Sequence, residues 1–158
     1  MVLRRICSAL LVAGALALSP FAAARAAGDD GIVKFKSAYP MPETIERMKK
    51  DIADKGIKFF DEIDQAKLAA DAGITLLPST LLIFGNPPLG TLFITADPDA
   101  GLDWPVRVLV YQDAKGNVWV AYTDFEWIRK RHGITSRGRE FKMASEVIGS
   151  ITSTVKKN

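Results

Sequence analysis

His132 and Cys7 are the only imidazole and the only thiol in a chain of 158 residues. A zinc site draws three or four ligands from cysteine, histidine and carboxylate, so one imidazole is a poor start for one. Nucleophilic cysteine chemistry, disulfide exchange and covalent haem attachment all need a thiol, and Cys7 lies in a segment expected to be removed. No G-x-S-x-G turn presents a serine nucleophile, and neither G-x-G-x-x-G nor G-x-x-x-x-G-K-[ST] occurs. His132 with Met143 or Met48 has the donor types of an axial haem or copper pair. Yet Arg129-Lys130-Arg131-His132 stands just before Gly133, where positive charge complements the end of a helix, and that reading is the one taken here. Asp61, Glu62 and Asp64 could serve as a general acid or hold a hard cation, and equally form a solvated face. No metal ligand, cofactor or catalytic residue is assigned.

Two groupings suit ligand binding instead. Gly85-Asn86-Pro87-Pro88-Leu89-Gly90-Thr91 connects an apolar strand to a helix, where backbone amides cradle anions. Pro87 and Pro88 remove two of those donors, and the same residues suit a plain tight crossover. Asn86 and Thr91 are its polar candidates. Arg107 shares a strand with Tyr111, opposite Trp119, and the three could form an aromatic floor with a cation at its edge, fit for a small anionic or planar ligand. The alternative is that the rings pack under a helix or at a dimer interface while Arg107 pairs with Asp103 or another acid.

The amino terminus reads as a secretory signal over residues 1–26. Arg4 and Arg5 precede an apolar run from Ile6 to Leu18, and Ala24-Arg25-Ala26 offers small residues for cleavage. That run is shorter than the about 20 residues a membrane-spanning helix needs, so no span is expected after cleavage. The expected location is the periplasm or the exterior. Loss of three leader arginines leaves 18 basic and 18 acidic side chains, so no sequence-wide field draws in nucleic acid. The charge is nonetheless uneven: residues 27–100 are net acidic and 101–158 net basic, which could favour self-association.

The remaining 27–158 is the size of one domain. Alternation predicts a strand from Ile32 to Ser37 with Ile32 and Phe35 near the core. Pro42 opens a helix carrying Ile45, Met48 and Ile52 that stops at Gly56. A strand from Ile57 to Ile63 and a short helix from Gln65 to Ala72 follow. Thr80 to Phe84 reads as a central strand covered on both faces, and Leu89 to Ala96 as a further helix. Val106–Gln112 and Val118–Tyr122 flank Asp113-Ala114-Lys115-Gly116-Asn117 as a hairpin. If Gln112 faces Val118, then Val108, Val110, Val118 and Val120 share one face, and Arg107, Leu109, Tyr111, Trp119 and Ala121 the other. Asp124 caps a helix to Arg131, and Phe141 to Val155 carries helical spacing. A tight hairpin excludes a strictly parallel sheet. The class is α+β, a single compact domain with a mainly antiparallel sheet and packed helices.

Thr80-Leu81-Leu82-Ile83-Phe84-Gly85-Asn86-Pro87, Gly90-Thr91, Leu102 to Tyr111 with Asp103-Trp104-Pro105, and Val118-Trp119-Val120-Ala121-Tyr122 resemble the family catalogued as domain of unknown function 302. Ile63-Asp64, Ala66 and Arg131-His132-Gly133 fit the same pattern. The resemblance covers roughly Ile32 to Gly133 and leaves 134–158 as a helical extension that packs on the domain or on a partner. It implies an antiparallel α+β domain prone to form homodimers, and no activity. The reading for function is a non-enzymatic exported homodimer binding a small ligand or a partner through the hairpin and the Asn86 loop. The alternative is an exported enzyme using carboxylate and histidine acid-base groups.

Overall fold

The computed structural model describes residues 28–157, so the leader expected over 1–26 lies outside them. The chain forms β1 (Ile32–Lys36), α1 (Met41–Asp54), β2 (Lys58–Asp64), α2 (Gln65–Asp71), β3 (Ser79–Gly85), α3 (Pro87–Ala96), a 3-10 turn (Pro98–Leu102), β4 (Val106–Gln112), β5 (Val118–Thr123), α4 (Phe125–Arg131) and α5 (Gly138–Ser153). The strands build one sheet in the order β1-β5-β4-β3-β2, and every neighbouring pair is antiparallel. The α+β class is as the hairpin required.

The β4–β5 hairpin forms because Asp113 gathers its loop. One carboxylate oxygen accepts the main-chain N–H groups of Lys115 and Asn117, each at 2.9 Å. Gly116 supplies the left-handed turn residue at φ +77°. Gln112 pairs with Val118, so period-two alternation places Val108, Val110, Val118 and Val120 inward, where all four are buried. Leu82 and Phe84 of β3 join them, and α1, α3, α4 and α5 close over this one face. Phe93 of α3 stacks on Phe141 of α5 with centroids 4.1 Å apart. At the sheet edge Ser37 Oγ lies 2.7 Å from Thr44 Oγ1 and also donates to the carbonyl of Val155 at 3.3 Å. Those buried hydroxyls tie β1 to α1 and to the end of α5.

Two expectations change and a third is resolved. Ile32 is 46% exposed and Val33 is buried instead, because pairing of Ile32 with Thr123 turns Ile32 to the uncovered face. β3 is covered by helices on one face only: Leu81 and Ile83 stay half-buried, and the adjoining α2 buries no residue. The segment 134–157, expected to pack on the domain or on a partner, packs on the domain. Phe141, Ile151 and Val155 of that segment are fully buried in the common core, and α5 packs on α1, α3 and α4.

Candidate functional site

Where the carboxyl end of β3 meets the helices, packing leaves a cavity of about 360 Å³. Phe84 and Gly85 of β3 and Val106 of β4 form its base, Leu89, Gly90 and Phe93 of α3 one wall, and Met143, Ala144, Val147 and Ile148 of α5 the other. Ile57, Phe125 and Trp104 complete the apolar lining, with Lys55 and Asn86 as polar members. The volume is more than twice the roughly 150 Å³ that accepts benzene in an engineered apolar void.

Local sequence explains the walls. Asn86 caps α3, its side-chain oxygen accepting the N–H of Leu89 at 3.2 Å, and Pro87 and Pro88 fill the first helical positions, where N–H groups lack partners anyway. Gly90 is the contact point for Trp104: a Cβ there would collide with the indole nitrogen, and one at Gly85 would stand 3.1 Å from the same atom. The bare backbone of two glycines thus lets the indole lie flat on the cavity wall. Phe60, displaced at the β2 bulge, meets the ring edge-on at 6.0 Å.

Trp104 is also held from behind. Asp103 precedes it, with a side chain 7% exposed, and accepts from His132 Nε2 at 2.7 Å and Arg131 Nη1 at 3.3 Å. Arg107 Nη2 stands 3.7 Å away and donates to the carbonyl of Leu102 at 2.6 Å. His132 caps the carboxyl end of α4, as its position in the sequence indicated, and adds this carboxylate contact, which spacing did not reveal. The void bordering Asp103 and Arg107 measures about 20 Å³, room for one water.

The five residues singled out from sequence separate. Asn86 lines the cavity. Thr91, one turn on, is exposed and donates back to the carbonyl of Pro87 at 2.8 Å, away from the lining. Tyr111 pairs with Trp119 across β4 and β5 on the uncovered face, and the indole N–H of Trp119 donates to Asp113 at 2.9 Å. The cation over those rings is Lys34 of β1, with Nζ 5.0 Å from the Tyr111 centroid and 4.6 Å from that of Trp119. Arg107 instead pairs with Asp103. Asp61 and Glu62 do not converge with Asp64, which caps α2 through Lys67 N–H, and no cluster able to hold a metal occurs among the described residues.

A five-stranded antiparallel sheet covered on one face by helices, with an apolar cavity between α3 and α5, defines a small α+β domain. The family model described as domain of unknown function DUF302 matches residues 33–157, and the chain belongs to that family. The match extends past Gly133 to take in α5, in keeping with the place of that helix in the core. The crystal structure of an uncharacterized conserved DUF302 protein from Bacillus stearothermophilus superposes with a TM-score of 0.72 over 80% of this chain and 98% of that one, at 14% identity. Among curated proteins, the fluoride-specific ion channel FluC 1 of Brucella suis biovar 1 (strain 1330) is 35% identical over 129 residues, 82% of this chain and 50% of that protein. FluC 2 of Brucella melitensis biotype 1 matches at the same identity over 47% of its length. The chain spans about half the length of the curated relatives it matches.

Proposed function

We propose that this protein is an exported, non-enzymatic homodimer that binds a small apolar ligand in the cavity between α3 and α5. The observation that carries the reading is the cavity itself: a preformed space within the usual range of ligand pockets, mostly apolar, with few polar groups at its wall. An enzymatic reading through Asp103 and His132 is less well supported. Their side chains are 7% and 6% exposed, and the adjoining void has no room for a substrate.

Support for dimerisation comes from the uncovered sheet face. Leu81, Leu109 and Ala121 lie in one cross-strand row, half-buried, beside Ile83 and Tyr111. Lys34 and Lys36 flank that centre on β1 and Asp61 on β2, at opposite margins of the sheet. A two-fold axis parallel to the strands would set the β1 of each copy over the β2 of the other and match those charges. The Brucella relatives are channels by name, yet no helix among the described residues here is long and apolar enough to cross a membrane. We therefore assign channel activity to the remainder of those longer proteins and a companion binding role to the part this chain matches.

Titration with the uncharged fluorescent probe N-phenyl-1-naphthylamine tests the cavity reading. Saturable binding at one site per chain is expected, lost in Val147→Trp and in Met143→Trp, which fill the space from α5. Binding unaffected by both substitutions, in variants with unchanged circular dichroism, would place the probe elsewhere and remove the support.

A further inference from the structure

The polar groups around the cavity constrain what its ligand carries. Trp104 lines the cavity with its Nε1 beside Gly85 and Gly90, and the N–H makes no hydrogen bond among the described residues. An indole nitrogen only donates. Asn86 has one lone pair of its side-chain oxygen engaged by Leu89 N–H, and its amide NH₂, a donor, makes no hydrogen bond among the described residues. Lys55 holds its ammonium on both oxygens of Asp51, at 2.7 and 2.6 Å. No aspartate or glutamate lines the space.

An apolar cavity whose open side-chain groups are mainly donors, with no carboxylate in its lining, discriminates by hydrogen-bond polarity. An oxygen acceptor on the ligand finds Trp104 and Asn86, whereas an ammonium finds no carboxylate in the lining. We propose that the ligand is a small amphipathic molecule, an apolar body bearing one carbonyl or carboxylate oxygen, with that oxygen seated on the Trp104 indole N–H. This rests on the cavity being the ligand site. It gives Trp104 a role in specificity and accounts for Gly90: only a residue without a side chain lets the indole reach the wall.

Displacement of N-phenyl-1-naphthylamine by decanoate and by decylamine, equal in chain length and opposite in head group, tests the proposal on the purified full chain. Decanoate should compete at least tenfold better than decylamine. Trp104→Phe, which keeps an aromatic ring without the donor, should weaken decanoate about threefold to tenfold more than it weakens the probe, the worth of one hydrogen bond. Equal competition by the two, or a Trp104→Phe variant that binds decanoate like wild type, overturns the acceptor proposal and leaves the ligand site standing. A Trp104→Phe variant that weakens probe and decanoate by the same factor overturns it too, by making Trp104 a packing wall only. Failure of the probe to bind wild type at all removes the site itself.

Discussion

Asp103 gathers two arginines and a histidine, and its main chain leads directly into Trp104. Removing that carboxylate leaves the buried His132 imidazole without its partner, whereas Arg131 is half exposed and reaches water. Asp103→Ala should therefore destabilise the protein by about 1–3 kcal/mol in denaturant titrations and loosen the Trp104 wall, visible as a red-shifted indole emission. Gly90→Ala acts from the other side: displacement of the indole should cost about 1–3 kcal/mol and abolish probe binding together. Asp113 supplies a pH test. Hydrogen bonds from the Asn117 amide and then the Trp119 indole hold its carboxyl well below the ordinary carboxylate range. Its folded value is depressed, so its contribution is present above the unfolded value near ~3.9 and is lost as pH falls toward the folded one. Asp113→Asn should be less stable than wild type at neutral pH, with the difference shrinking below about pH 4. The roles of Asp124 as a cap and of His132 at a helix end were legible from neighbours in sequence. The Asp103–His132 contact, spanning 29 residues, was not, because nothing local encodes which carboxylate a surface loop delivers to a helix terminus.

Elements were legible wherever a period and a stop signal coincided. The hairpin register followed from one loop of five residues, and with it the inward valines and the outward row of Leu109, Tyr111 and Trp119. What periodicity could not supply was the number of covered faces. A continuous apolar run such as Thr80 to Phe84 reads as buried on both sides, yet Leu81 and Ile83 turn to a face that no helix covers. The cavity was hidden for a related reason: its walls come from β3, β4, α3, α4 and α5, and only their tertiary arrangement defines the space between them. α5 is the element on which that arrangement depends. Phe141 is fully buried and stacked on Phe93, so Phe141→Ala should cost about 3–5 kcal/mol in thermal or denaturant unfolding. A change below 1 kcal/mol would mean that α5 is dispensable to the core.

At the scale of the whole molecule the two sheet faces divide the work proposed here, one roofed by helices that enclose a ligand and one left open for a second copy. A stable pair buries well over about 1,000 Å² in total, with apolar and aromatic residues near its centre. Leu109→Arg places a charge at that centre without touching the cavity. It should turn a dimer into a folded monomer in sedimentation at micromolar concentration while leaving ligand binding intact; a wild-type monomer under those conditions would contradict the pairing. Native mass spectrometry of the freshly purified protein tests whether the cavity holds a ligand. A retained small molecule is expected, released on collisional activation as an anion or neutral species of amphipathic composition, and absent from Val147→Trp. A protein whose mass is that of the bare chain, and which takes up neither probe nor decanoate when these are added, would contradict the ligand reading.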